Sequence, residues 1–213
     1  MRPAVSLVLR RFGITASVLS ALLAGSAFVH KVTLEIPFMK PGSTLPKRYT
    51  KKDKNISPPL VWSSLPNDVR ELALILEDID EPRVHWVVYA IPATLTGLRE
   101  GLPSDEVIHA PAKLSGIIQG ITDFKGEGAG YHGPDPQSDK QHQYRFTIYA
   151  LNARLALPPG LDKTSLLTLI QSHIIGQGEL VVTFPEVKGV AAPAGRRRKY
   201  RSRESNAVAN LQG

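Results

Sequence analysis

The chain of 213 residues contains no cysteine. Disulfide bonds, zinc–thiolate sites and cysteine nucleophiles are therefore excluded. Two catalytic signatures are also missing, the phosphate-cradling pattern GxxxxGK[ST] and the nucleophile-elbow pattern GxSxG. Their absence removes the usual sequence basis for a P-loop nucleotide hydrolase or an α/β-hydrolase. Long apolar runs are absent after residue 29, so no later segment is expected to cross a membrane.

What is present fits a globular protein: 42% of the residues are hydrophobic and 21% are charged, and the length suits one domain. The net charge of +7 is unevenly distributed, since residues 1–29 carry +3, residues 188–213 carry +6, and residues 30–187 carry −2. A slightly acidic middle lacks the basic stripe that duplex nucleic acid requires. We therefore predict a folded domain over 30–187 that does not bind nucleic acid.

The two ends differ from this middle. Residues 12–29 are uncharged, follow Arg10 and Arg11, and include the small residues AGSA at 24–27. This pattern over 1–29 predicts a signal peptide and a periplasmic or secreted protein; an uncleaved membrane anchor and a buried helix are the alternatives. Residues 188–213 lack apolar periodicity and carry RRRK at 196–199. They are predicted to form a basic disordered tail, with contact to anionic membrane as the alternative.

The middle of the chain favours β-structure. Alternating or β-branched runs bounded by turn-forming residues predict strands over 31–38, 72–76, 84–91, 144–151 and 179–184. One helix is predicted, capped by Asp162 or Thr164, with apolar residues at helical spacing from Leu166 to Ile174 and a stop at Gly176. Many strands with one helix indicate a mainly β fold.

Polar side chains that suit an anion or a metal lie at predicted strand ends: Asp78 and Asp80, then His85, then the segments 131–136 and 142–144. If they converge, two arrangements are open. Imidazole and carboxylate ligands suit zinc or iron. Alternatively, the carboxylates lie behind His85 and His142, fix their tautomers and raise their pKa values. The histidines, the Tyr144 hydroxyl and the backbone near Gly133 then donate to an anion.

Six ordered motifs between residues 31 and 186 resemble one known family. Residues 55–60 read NISPPL with Trp62, 78–82 read DIDEP, and 85–92 read HWVVYAIP. Asp123 and Phe124 precede GYHGPDP at 130–136, HQYRF stands at 142–146, and YAL at 149–151. In these motifs the chain resembles the phosphatidylethanolamine-binding protein (PEBP) family, in its bacterial Raf-kinase-inhibitor-like branch.

The resemblance implies a β-sandwich of two antiparallel sheets with one or two peripheral helices. It also implies a pocket for phosphate, a related anion or a phospholipid head group, with no cofactor, no metal and no established catalysis. Carried over motif by motif, the ligand-binding residues are Asp78, Asp80, His85, Gly133, Pro134, His142 and Tyr144.

This chain departs from the family pattern at several positions. Ile79 stands where relatives have proline, Glu81 where they have a small residue, and Gln143 where they have arginine. His132 replaces a glycine and adds a possible donor at the rim of the pocket.

Three functions remain open from the sequence. The preferred one is an exported, non-catalytic binding protein for phosphate or a phospholipid head group. The second is an inhibitor of a protease or another enzyme that acts through the pocket rim, and the third is a metal-dependent hydrolase. The family resemblance also suggests a homodimer.

Overall fold

The computed structural model describes residues 29–136 and 140–185. In this part of the chain, strands form a six-stranded and a three-stranded sheet. The strands and the α-helix are β1 (His30–Lys31), β2 (Thr33–Glu35), β3 (Leu60–Ser63), β4 (Glu71–Asp78), β5 (Arg83–Pro92), β6 (Gly97–Leu98), β7 (Ile118–Gln119), β8 (His142–Leu151), α1 (Lys163–Ile170) and β9 (Ile174–Phe184). Short 3-10 turns cover Lys47–Tyr49, Ala112–Leu114 and Gln171–His173.

The large sheet has the order β1-β9-β8-β4-β5-β7 and the small sheet the order β2-β3-β6. The pairs are antiparallel except for β1 and β9, which run parallel with His30 opposite Gly176. The predicted mainly β sandwich of two sheets with a peripheral helix is therefore confirmed, with one short parallel edge added.

Two apolar layers cover the large sheet. One core cluster joins residues of both sheets, including Leu34 and Trp62 with Leu74 and Phe146. A second cluster joins the opposite face of the large sheet to α1. Because both faces are covered, all eight residues of β4 are buried, and residues 72–76 alternate between the two clusters. This explains why the β4 sequence is an apolar run without alternation.

The predicted strand over 31–38 is divided in the structure. His30–Lys31 pairs with β9 in the large sheet, whereas Thr33–Glu35 pairs with β3 in the small sheet. Val32 connects them, and its N–H donates to the Gln177 carbonyl at 2.9 Å. Gly178 permits this approach, because an added Cβ would lie 2.2 Å from the Val32 oxygen.

The predicted helix ends earlier than the sequence suggests. Asp162 is its N-cap, with Oδ1 accepting the Ser165 N–H at 2.8 Å. The α-helix ends at Ile170, however, and Ile174 already begins β9. The expectation of a helix through Ile174 is therefore wrong, because sheet pairing along β9 replaces the apolar helical repeat. The predicted strand over 179–184 correspondingly begins five residues earlier.

The predicted N-terminal segment, except residue 29, and the predicted basic tail over 188–213 lie outside the described residues. Within 29–136 and 140–185, no helix has the length and apolar character that a membrane crossing requires.

Candidate functional site

Asp78 forms the centre of the candidate site at the end of β4, where its side chain is 5% exposed. Oδ1 accepts the backbone N–H groups of Asp80 and Glu81 at 2.9 and 3.0 Å, which fixes the turn after the strand. Oδ2 lies 2.6 Å from Nδ1 of His142. Asp78 is therefore held inside the protein by its own loop and by a neighbouring strand, and it orients the His142 ring.

His142 and Tyr144 reach the same region because they are two residues apart on β8 and share one face of the strand. Their rings lie 6.4 Å apart at an interplanar angle of 20°. Tyr144 is paired in register with Asp78, whose carboxylate acts electrostatically on the Tyr144 hydroxyl. Burial, followed by the negative charge of Asp78, raises the pKa of Tyr144, so the hydroxyl keeps its proton.

His85 enters from β5 and has a different support. Its Nδ1 lies 2.7 Å from the carbonyl oxygen of His132. A carbonyl only accepts, so Nδ1 carries the hydrogen in this tautomer. Burial lowers the pKa of His85 and outweighs the raising effects of that bond and of Asp78. The expectation that a carboxylate lies behind His85 and raises its pKa is therefore wrong.

Three of the sequence-predicted residues form one cluster with Asp78. The ring of Tyr144 lies 5.3 Å from that of His85 at 89°, and it also faces His142. The structure thus brings Asp78, His85, His142 and Tyr144 together from three adjacent strands.

Asp80 does not share this cluster. Its side chain is exposed, and Oδ2 accepts the backbone N–H of Gln143 at 2.5 Å. Asp80 therefore ties the loop after β4 to the start of β8, and the expectation that it lies behind a histidine is wrong. The sequence pattern DxD suggested two equivalent carboxylates, but only the first reaches a histidine.

Gly133 and Pro134 form a wall whose polar groups are already bonded. The Gly133 N–H donates to Oδ1 of Asn55 at 2.7 Å, and the Pro134 carbonyl accepts the Lys51 N–H at 3.1 Å. A Cβ at Gly133 would lie 2.3 Å from the Tyr49 carbonyl oxygen. The Gly133 N–H is therefore already bonded, and Gly133 allows close backbone packing; the assignment of Gly133 and Pro134 to the ligand site stays a prediction.

The rim contains two residues that sequence reasoning did not place in the site. Phe124 packs edge-on against His85 at 4.9 Å and stacks on His132 at 4.8 Å. The cations of Lys51 and Arg83 lie 5.3 and 5.4 Å from the centre of the Phe124 ring. The DF pair within one family-like motif is the available signal for Phe124, and the NISPPL motif is the signal for Asn55. No local pattern shows the bond of Asn55 to Gly133, which is 78 residues away.

His132 differs from the rim donor suggested by the sequence. It is 4% exposed, and its ring stacks on Phe124. Its Nδ1 is buried without a hydrogen-bond partner and lies 3.4 Å from the Glu127 carboxylate. The side chain therefore packs behind the rim and does not extend across it.

Comparison with known proteins identifies the family. A family model described as phosphatidylethanolamine-binding protein matches residues 35–185. This chain belongs to the phosphatidylethanolamine-binding protein family. The resemblance drawn from the six motifs is thereby confirmed.

Relatives within this PEBP family cover the folded region. A UPF0098 protein of Methanothermobacter thermautotrophicus is 39% identical over 140 residues, which are 64% of this chain and 87% of that protein. A protein of Mycobacterium tuberculosis named lipoprotein LppC is 34% identical over 157 residues, 72% of each chain.

Two solved PEBP-family structures share the fold. A PEBP homolog of Chlamydia trachomatis has a TM-score of 0.63 and 30% identity, covering 74% of this chain and 99% of its own. Escherichia coli YbcL, described as a new member of the mammalian PEBP family, has a TM-score of 0.61 and 25% identity. The match covers 73% of this chain and 99% of YbcL.

The described residues of this PEBP domain provide no set of ligands for the metal site considered as an alternative. Among the described residues, no group of three or more histidine, aspartate and glutamate side chains is placed to hold a metal ion. The Asp78 carboxylate bonds to the ring of His142 and so acts as its support.

A separate cleft of about 470 Å³ opens beyond β4 near the start of α1. In this cleft Glu77 accepts hydrogen bonds from both Arg145 and Lys163. The cleft is therefore lined in part by an ion-pair network. Those two cations lower the pKa of Glu77 against the raising effect of burial. The cleft shares Asp78 with the histidine cluster but contains neither histidine.

Proposed function

We propose that this PEBP-family protein is an exported, non-catalytic binding protein whose histidine pocket takes a phosphate group, either free or as part of a lipid head group. The observation that carries the proposal is the contact of His142 Nδ1 with the Asp78 carboxylate at 2.6 Å. It fixes the ring, and a carboxylate bonded to Nδ1 strengthens hydrogen-bond donation from Nε2 to an anion.

The arrangement of charge supports an anion as the ligand. A carboxylate that faced a phosphate directly would repel it, but Asp78 bonds to two backbone N–H groups and to His142. Its charge is therefore directed into the protein. At the rim, Arg83 and Lys51 flank Phe124 and add positive potential near the entrance.

The site also lacks the arrangement that nucleophilic catalysis uses. Among the described residues, no serine, threonine or lysine side chain forms a hydrogen bond with His85 or His142. A histidine held by a carboxylate activates a nucleophile only when one lies within hydrogen-bond reach. This supports binding as the function of the Asp78–His142 pair.

Export is proposed from the pattern of residues 1–29 together with the relative named lipoprotein. An anchor formed by the N-terminal segment is the alternative. Inhibition of a protease or another enzyme through the pocket rim, a homodimer, and contact of the basic tail with membranes stay predictions.

Calorimetric titration of the full chain with inorganic phosphate tests the pocket. Loss of one charge-assisted hydrogen bond costs about 1.5–3 kcal/mol, so His142→Ala should weaken phosphate binding by about tenfold or more. His109→Ala is the matched control, because His109 is exposed outside the cluster. Equal phosphate affinity in the two variants would refute the pocket assignment.

A further inference from the structure

We propose that the pocket selects oxyanions that keep a proton, because His142 donates a hydrogen bond to the ligand whereas His85 accepts one from it. This inference rests on the proposed function and specifies its ligand class. The favoured ligands are inorganic phosphate and singly protonated phosphomonoesters. Sulfate and phosphodiesters, including the phosphodiester of an intact phospholipid, carry no such proton and are disfavoured.

The acceptor role of His85 follows from its hydrogen bond to the backbone. The His132 carbonyl oxygen takes the Nδ1 hydrogen at 2.7 Å, so a neutral His85 has its lone pair at Nε2. The backbone of β5 reinforces this contact, since the His132 N–H donates to the His85 carbonyl at 3.0 Å. Two bonds between the same residues hold the ring in one orientation.

The surroundings of His85 favour its neutral form. The charged and titratable groups that act on it are Asp78, Arg83 and His132. Asp78 favours the imidazolium, whereas Arg83 and His132 oppose it, and burial also opposes it. The two histidines thus differ in kind, because His142 has a carboxylate behind its ring and His85 has an uncharged carbonyl.

Both outward nitrogens are available to a ligand. Nε2 of His85 and Nε2 of His142 form no hydrogen bond to a described residue, yet neither is among the fully buried polar atoms that lack a partner. Both atoms therefore meet solvent, in contrast to the buried Nδ1 of His132. A ligand that bridges them must accept at one end and donate at the other.

Sulfate and phosphate separate this arrangement from simple charge attraction. The two ions have similar size and shape, but only phosphate keeps a proton near neutral pH. A ligand without a proton would leave Nε2 of His85 unpaired and opposite a negative oxygen. Sites built for a specific hydrogen bond reject analogues that lack it, and we expect sulfate to bind about tenfold or more weakly than phosphate.

The experiment is a set of calorimetric titrations of the full chain with phosphate, methyl phosphate and sulfate between pH 6 and 8. A phosphomonoester loses its last proton with a pKa near ~6, whereas inorganic phosphate keeps one throughout this range. The ratio of phosphate affinity to methyl phosphate affinity should therefore rise by up to about tenfold per pH unit. A change in the protonation of the protein alters both affinities by the same factor, so it does not affect their ratio.

Each outcome decides a separate question. A ratio that is independent of pH, or sulfate binding as tight as phosphate binding, would overturn the acceptor role of His85. Failure of all three ligands to bind would instead overturn the proposed function. Glycerophosphoethanolamine, a diester with an ammonium group, should bind more weakly than phosphoethanolamine, and equal binding would also contradict the proposal.

A variant supplies an independent test. His85→Gln replaces the acceptor with an amide that also donates, so the discrimination between phosphate and sulfate should fall to less than about threefold. His109→Gln is the control on an exposed histidine. If His85→Gln does not fold, the wild-type ligand series still decides the proposal.

Discussion

Replacing Asp78 by asparagine tests the centre of the site without changing its volume. In the wild-type protein the carboxylate accepts two backbone N–H groups and the His142 Nδ1–H. The amide oxygen of Asp78→Asn can keep the two backbone bonds. Its NH₂ group would then face His142, where only an acceptor fits.

Two magnitudes follow from this mismatch. Hydrogen bonds to a buried charged group contribute about 1.5–3 kcal/mol, so the free energy of unfolding should fall by about 2–3 kcal/mol. For a domain of this size the thermal midpoint should fall by about 4–12 °C. His142 can still donate from Nε2 in the other tautomer, but no carboxylate then strengthens that donation, so phosphate affinity should fall about fivefold to tenfold.

Asp80→Asn is the matched control, because it removes the same charge two residues along the chain. The Asp80 carboxylate is exposed and accepts the backbone N–H of Gln143 at the start of β8. The effect of Asp80→Asn on phosphate affinity should stay below about twofold at physiological salt. Calorimetry and thermal denaturation of both variants provide the comparison. Tighter phosphate binding by Asp78→Asn, or equal losses in both variants, would refute a supporting role for Asp78.

Two further predictions concern packing and pH. Gly133→Ala should destabilise the domain by about 1–3 kcal/mol in urea unfolding, because its Cβ would lie 2.3 Å from the Tyr49 oxygen. Gly101→Ala has open space and a φ of +65°, so it should cost only about 1 kcal/mol, and an equal cost in both variants would contradict the steric argument. The lowered pKa of His85 means that, below the usual histidine value of about 6.5, the unfolded state binds a proton that the folded state does not. Stability should therefore fall as pH decreases through that value, at up to about 1.4 kcal/mol per unit, and the slope should decrease in His85→Gln; an unchanged slope in phosphate-free buffer would assign it to another group.

The four central strands of the large sheet, β9, β8, β4 and β5, are accessible to sequence reasoning because each one is long and rich in apolar residues. β4 and β8 appear where the runs at 72–76 and 144–151 predict them, although both extend further in the structure. The edge strands Gly97–Leu98 and Ile118–Gln119 were not predicted, because two residues are too short for a periodic pattern. Ile174 was assigned to the helix because an apolar residue four positions after Ile170 fits a helix as well as a strand.

The sequence identifies which residues meet in the site more accurately than it identifies the role of each one. Asp78, His85, His142 and Tyr144 do meet, since strand ends that lie side by side bring their loops together. The partners of each group depend on contacts between distant segments, such as Asn55 with Gly133 and the His132 carbonyl with His85. No local pattern shows that a backbone donor is already bonded, or that one of two similar histidines rests on an uncharged oxygen.

The parallel pairing of β1 with β9 determines how the protein is oriented when it is held by one end. His30 lies opposite Gly176, whereas His142 in the pocket lies opposite Phe184, and eight residues of strand span about 26 Å. The start of β1 therefore lies far from His142, while the end of β9 lies beside it. A tether attached at the start of β1 would hold the domain at the end of the large sheet that is opposite the histidine cluster.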